Sequence, residues 1–215
     1  MTDDAARTAA RLLIETESVL FRPDDPFTFT SGRKSPVYVD CRRLISFVEA
    51  RKTLMVLMAD QIANAIDPSD IDAVAGGETA GIPFAAWIAA GLNLPMIYIR
   101  KQPKGFGRNA RIEGVIKEND EVVLVEDLAT DGGSKLSFVE AVEEAGGHCA
   151  HTFVVFHYGI FPEGIRQLEE AGVALHALAT WWDVIDCAKA ENRLDSATID
   201  KVTAFLKAPD DWAAA

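Results

Sequence analysis

Apolar positions change their spacing several times along this 215-residue chain, and each change marks an element. Residues 5–21, AARTAARLLIETESVLF, repeat apolar side chains at helical intervals against a charged opposite face, which predicts an amphipathic helix. In FTFTSGRKSPVYVD, beginning at Phe27, two short β-branched and aromatic runs flank the polar SGRKS, so a hairpin is expected. Residues 47–66 read as a long helix with Leu54, Leu57, Met58 and Ile62 along one side.

From there the pattern alternates. IDAVAGG (71–77) predicts a strand and 81–91 a helix; PMIYIR (95–100) and EVVLVED (121–127) predict strands. A helix over 134–145 stops at Gly146, CAHTFVVF (149–156) is a strand, 160–171 a helix and ALHALAT (174–180) a strand, before a helical C-terminus. Apolar strands alternating with amphipathic helices predict an α/β fold, a mostly parallel sheet flanked by helices. Ligands of such sheets bind outside the carboxyl ends of the strands. Three loops stand at those ends: GGETAG, RKQPKGFGRNARIEG and EDLATDGGS.

Composition narrows the class. No repeat, low-complexity tract or linker interrupts the chain, and its length suits one domain over 1–215. A net charge of −12 argues against a nucleic-acid surface and against a basic membrane-binding face, and makes any local basic cluster conspicuous. The stretch 79–99 is uncharged, but Gly81, Pro83, Gly91, Asn93 and Pro95 punctuate it, which fits a short buried helix and a strand rather than a span. Asp3 and Asp4 occupy the place of a signal peptide's basic region. Cys41, Cys149 and Cys187 are far apart and odd in number, as suits buried thiols in a reducing compartment. The expectation is a cytoplasmic protein with no nucleic-acid and no membrane partner.

The candidate chemistry centres on VVLVEDLATDGGSKLSF (122–138). Gly132 and Gly133 let backbone approach a ligand, and Ser134 stands where a helix cap would, so the amides of 130–134 could converge on a phosphate. Leu128 occupies the place of a Walker loop's first glycine, and there is no G-x-G-x-x-G. A strand–Gly-Gly–helix turn is also, in many proteins, only a tight connection. The adjacent Glu126 and Asp127 favour a site, because carboxylates at a strand end are costly without partners. Over 100–111 come five basic residues, Arg100, Lys101, Lys104, Arg108 and Arg111, with no acid, and Pro103, Gly105 and Gly107 give the loop the composition of a mobile lid.

VVLVEDLATDGGS resembles the phosphoribosyl-pyrophosphate (PRPP) signature of the type I phosphoribosyltransferases: an apolar strand, two acids, a short loop with Thr, Gly-Gly, then Ser or Thr. The resemblance implies that Leu128, Ala129, Thr130, Asp131, Gly132, Gly133 and Ser134 hold the 5′-phosphate loop, while Glu126 and Asp127 accept from the ribose hydroxyls. Negative charge under the sugar suits a reaction that builds positive charge on the anomeric carbon. IRKQPKGFG resembles the catalytic loop of the orotate phosphoribosyltransferases, which implies PRPP contacts and catalysis by Lys101 and Lys104, with Arg100 beside them. Phe106 stands where many members have His. GGETAGIP resembles the family's pyrophosphate turn, with Thr79 and Ala80 contributing backbone; Ala80 stands where many members carry Lys.

FTFTSGRKSPVYVDCRRLIS is similar to the N-terminal segment of the orotate enzymes, which purine relatives lack. It implies a hood over the base, built from 1–45 and the C-terminal segment, with Tyr38 and Val39 beside orotate and Thr130 touching it. Arg33 and Lys34 add positive charge suited to a carboxylate-bearing base. Thr30 stands where many members have Lys, and the family's base-contacting Arg has only His157 or Tyr158 as counterpart. The implied reaction is orotate plus PRPP giving orotidine 5′-monophosphate and pyrophosphate, with Asp127 assisting Lys101 and Lys104. The implied cofactor is Mg²⁺ held mainly through PRPP, and the implied assembly is a homodimer whose 100–111 loop reaches the neighbouring site. Transfer to another base such as a purine, and a non-catalytic PRPP sensor on the same fold, are the alternatives.

Overall fold

The computed structural model describes residues 2–28, 32, 34–104, 111–130 and 133–212. Six strands form the main sheet in the order β10-β9-β8-β5-β6-β7. These are β5 (Ala73–Gly77), β6 (Met96–Ile99), β7 (Ile112–Glu113), β8 (Glu121–Ala129), β9 (His148–His157) and β10 (Ala174–Thr180). All neighbours are parallel except β6 and β7. The chain steps outward from β5 to β6 on one side and from β8 through β9 to β10 on the other. The topological switch therefore falls between β5 and β8, where a crevice opens beyond the strand ends.

Helices cover both faces. On one, α2 (Val48–Ala65), α3 (Gly81–Leu92) and α6 (Trp181–Ala190) bury Leu54, Met58, Phe84, Ile88 and Trp181 against Val123, Val125 and Phe153. On the other, α4 (Gly133–Glu144) and α5 (Pro162–Glu170) bury Phe138, Val142 and Leu168 against Val122 and Leu124. The period of two along β8 thus sends even-numbered side chains to α4 and odd-numbered ones to α3. The remaining helices are α1 (Thr2–Glu15) and α7 (Ser196–Lys207). None of the helices is long and apolar enough to cross a membrane, among the described residues.

The expected helix over 5–21 ends early. Thr16 Oγ1 bonds Leu12 O at 2.7 Å, Glu17 turns into the left-handed region at φ 53°, and Val19–Phe21 becomes strand β1. The expected hairpin splits in two. β2 (Phe27–Thr28) pairs β3 (Lys34–Ser35), whereas β4 (Val37–Val39) pairs antiparallel with β1. Pro36 has no N–H to donate, and Ser35 Oγ bridges it by bonding both Val37 N and Val37 O, so the strand changes partner there. A 3₁₀ turn, Cys41–Ser46, follows, capped by Asp40, whose carboxylate accepts from Arg42 N at 3.2 Å. β7 pairs Tyr98 with Glu113 and Ile99 with Ile112, and no strand is predicted there from two residues of sequence.

Candidate active site

A cleft of about 660 Å³ lies at the switch between β5 and β8. Each of its walls comes from a stretch singled out in the sequence. The end of β8 supplies Glu126, Asp127, Leu128 and Thr130, and the start of α4 adds Ser134, Lys135 and Phe138. The turn after β5 supplies Glu78, Thr79 and Ala80, and the end of β6 supplies Lys101. The segment after β4 closes the opposite side with Val39, Asp40, Cys41 and Arg42.

The two adjacent acids coexist because they leave β8 on opposite faces. Glu126 turns toward α4. Its Oε1 accepts the backbone N–H of Gly77 at 2.9 Å, and its Oε2 lies 3.6 Å from Lys135 Nζ. This socket requires glycine: a Cβ on Gly77 would fall 2.5 Å from Glu126 Oε1, and one on Gly81 only 2.0 Å away. Burial pushes the Glu126 carboxyl up to about 7, Lys135 opposes that shift, and the Asp127 charge adds to it. Asp127 turns the other way, toward Cys41 and Arg42; burial also raises its carboxyl, against the pull of Lys135. Beside it the Cys41 thiol is pushed well up, first by burial and then by Asp127, so it stays neutral and is no nucleophile.

The turn Glu78–Thr79–Ala80 carries a cis peptide between Glu78 and Thr79. Glu78 Oε2 accepts from Lys101 N at 2.8 Å and Glu78 N donates to Ile99 O at 2.8 Å, so this turn and the start of the basic loop are one unit. The loop's two ends are clasped as well, with Arg100 N donating to Arg111 O at 2.8 Å and Arg111 reaching Ser137 Oγ at 3.1 Å. Lys104 does not line the cleft. Its ammonium pairs with Glu113 at 2.7 Å, and Arg100 reaches the same carboxylate at 3.5 Å. Salt-bridging to Lys104 lowers the Glu113 carboxyl.

Among the candidate residues, Val39, Thr79, Ala80, Lys101, Glu126, Asp127, Leu128, Thr130 and Ser134 share the cleft; Tyr38, Arg100, Lys104, Ala129 and Gly133 do not line it. Tyr38 sits next to Val39 with its ring 5.4 Å from Phe27. Ser134 lies inside the first turn of α4, which opens at Gly133, rather than before it. Asp131, Gly132, Thr30, Arg33 and residues 105–110, Phe106 and Arg108 among them, lie outside the described residues. His157 and Tyr158 are 7% and 5% exposed and do not line the cleft; Tyr158 packs edge-on against Trp181 at 5.8 Å. His151 and His176 stack beside Phe153 on the outer strands, with their ring nitrogens 3.0 Å apart, while His148 is exposed.

Sequence reasoning missed Asp40, Arg42, Lys135 and Phe138 as cleft residues. Lys135 gave no signal of its own, since a single Lys in the first turn of a helix reads as a solvated side chain. Among the described residues, no group of three or more His, Cys, Asp or Glu is arranged to hold a metal ion, and Glu126 and Asp127 diverge rather than chelate.

Residues 50–173 match the family described as the phosphoribosyl transferase domain. The chain is 57% identical over 210 residues to an orotate phosphoribosyltransferase of Cereibacter sphaeroides (strain KD131 / KCTC 12085), covering 98% of this chain and 90% of the relative. It superposes on the crystal structure of orotate phosphoribosyltransferase from Aeropyrum pernix with a TM-score of 0.70 at 28% identity, covering 86% of this chain and 99% of the other. Leishmania donovani UMP synthase aligns with a TM-score of 0.78 at 26% identity, over 94% of this chain and 42% of that longer one.

Proposed function

This chain belongs to the orotate phosphoribosyltransferase family, and we propose that it transfers the 5-phosphoribosyl group of PRPP to orotate, releasing pyrophosphate and forming orotidine 5′-monophosphate in pyrimidine biosynthesis. The observation that carries this reading is the meeting in one cleft of an acid pair, Thr130 and Ser134 from either side of the phosphate turn, the Glu78–Ala80 turn and a hood segment. In the reaction the bond from the anomeric carbon to pyrophosphate breaks, its electron pair leaves with the pyrophosphate, and a ring nitrogen of orotate, having given up its proton to solvent, forms the new bond. Positive charge on the sugar at that moment is favoured by Asp127 and Glu126 at the cleft floor.

The remaining roles follow from position. The amides of 130–134 receive the 5′-phosphate at the opening of α4. Thr79, Ala80 and Lys101 receive the diphosphate, and Lys104, on leaving Glu113, serves the diphosphate of the neighbouring subunit's site. Val39, Tyr38 and Thr130 flank the base. Mg²⁺ is the cofactor this chemistry calls for, and the divergence of the two acids favours an ion held by substrate oxygens rather than by a protein cage. The single domain acts as a homodimer, with the 100–111 loop serving the neighbouring site. A cytoplasmic location suits three buried, unbridged cysteines.

The test is orotate-dependent formation of the nucleotide from PRPP with Mg²⁺, run beside uracil, adenine, hypoxanthine and xanthine. Turnover with orotate alone is expected, and turnover only with a purine would sink the reading. Tight PRPP binding without turnover of any base would leave a sensor in its place.

A further inference from the structure

Lys135 is only 5% exposed, and a buried ammonium is costly unless its donors are satisfied. Two hydrogen bonds and an ion pair hold it: Leu128 O, Ser134 Oγ at 3.2 Å, and the Glu126 carboxylate at 3.6 Å. These contacts bridge the last residues of β8 and the first turn of α4, the two sides of the phosphate turn. The charge also lowers the carboxyls of both Glu126 and Asp127, and His157 feels it from β9. The other groups facing the acids are Asp40, Cys41 and Arg42 from the hood and Glu78 and Lys101 from the loops. Arg42 is 61% exposed and already bonded to Asp40 at 3.0 Å, and Lys101 stands at the cleft's other wall. Neither can replace an ammonium buried between the acids and the helix.

We propose that Lys135 is a positioning residue, the internal counter-cation of the Glu126–Asp127 pair, which clamps the end of β8 to α4 and touches no substrate. This rests on the transferase reading. Held to Leu128, Ser134 and Glu126, Lys135 acts on the reaction through the acids. Removing the charge leaves two buried carboxylates with less reason to ionise, so they protonate at higher pH and the charge beneath the sugar is lost.

Three variants separate charge from shape. Lys135→Gln keeps a donor for Leu128 O and discards the charge; Lys135→Arg keeps the charge; Glu126→Gln/Lys135→Gln removes both members of the pair. Lys135→Gln is expected to lower kcat/KM more than about tenfold at neutral pH and to move the acidic limb of its pH profile upward by about one unit, while Lys135→Arg restores the limb. An acidic limb that coincides with the wild type's overturns the proposal, whatever the rate. If Lys135→Gln does not fold, the double variant regaining a folded chain supports the counter-charge role, and its staying unfolded overturns it. The folding comparison needs no turnover, so it tests the pair even in a wild type inactive with orotate, an outcome that would sink the transferase reading instead.

Discussion

The backbone N–H of Gly77 donates to Oε1 of Glu126 across 2.9 Å, joining the ends of β5 and β8 at the point where strand order reverses. Gly77 leads into the Glu78–Ala80 turn and Glu126 belongs to the acid pair, so damage to this bond reaches both sides of the cleft.

Gly81→Ala tests that dependence. Its Cβ would arrive 2.0 Å from Glu126 Oε1 and 2.8 Å from Val125 O. The carboxylate must leave its socket, at a cost of about 1–3 kcal/mol of overpacking. Thermal unfolding should show the loss, and kcat/KM should fall by more than about tenfold. A wild-type rate in a folded Gly81→Ala chain would show that the Glu126 position does not matter.

Glu126 should also make the protein's stability depend on pH. Its folded value of about 7 lies above the ordinary 4.5, so its contribution is fully present below about pH 4.5 and is lost as pH rises through 7. The swing is on the order of 3 kcal/mol. Glu126→Gln should flatten this part of the stability curve, measured by urea unfolding between pH 4.5 and 8, and should remove an acidic limb of kcat/KM near pH 7. An unchanged curve in the variant would place the titration elsewhere.

Lys104→Ala should lower kcat far more than it weakens PRPP binding, because Lys104 is paired with Glu113 outside the cleft and, in the proposed mechanism, meets the pyrophosphate only at the transition state. Equal losses in turnover and in calorimetric PRPP affinity would mean that Lys104 merely binds substrate.

Trp181→Ala should cost about 3–5 kcal/mol. The ring is fully buried and meets Phe21 of β1 at 5.9 Å and Phe156 of β9 at 5.2 Å, so it ties the strand that backs the hood to the main sheet. Denaturation by guanidinium reads the loss. A shift smaller than 1 kcal/mol would show that the hood stands without it.

Much of the site was legible because its parts are local. An apolar run before two acids and a Gly-Gly turn identifies β8 and α4, and alternation of strands and helices gives the parallel sheet. What escaped depends on contacts distant in the chain. Apolar spacing continues from α1 into β1, and nothing in the pattern marks the break at Glu17. The choice of β1 rather than β2 as partner for Val37–Val39 spans 16 to 20 residues of chain and is decided by Pro36 and tertiary packing. Lys135 looks like a solvated helix residue until β8 is folded against α4, and Glu113 looks unrelated to Lys104 until β7 returns beside β6.

Because Glu126 and Asp127 part to opposite faces of β8, the spacing of that strand matters as much as its letters. Deleting one residue between Val122 and Val125 would exchange the faces of the two acids. Asp127 would then enter the glycine socket with a side chain one carbon too short to reach Gly77, and Glu126 would crowd Cys41. Lineages of this enzyme should therefore vary in length freely in the connection over 114–120 and stay constant in length from Glu121 to Ala129.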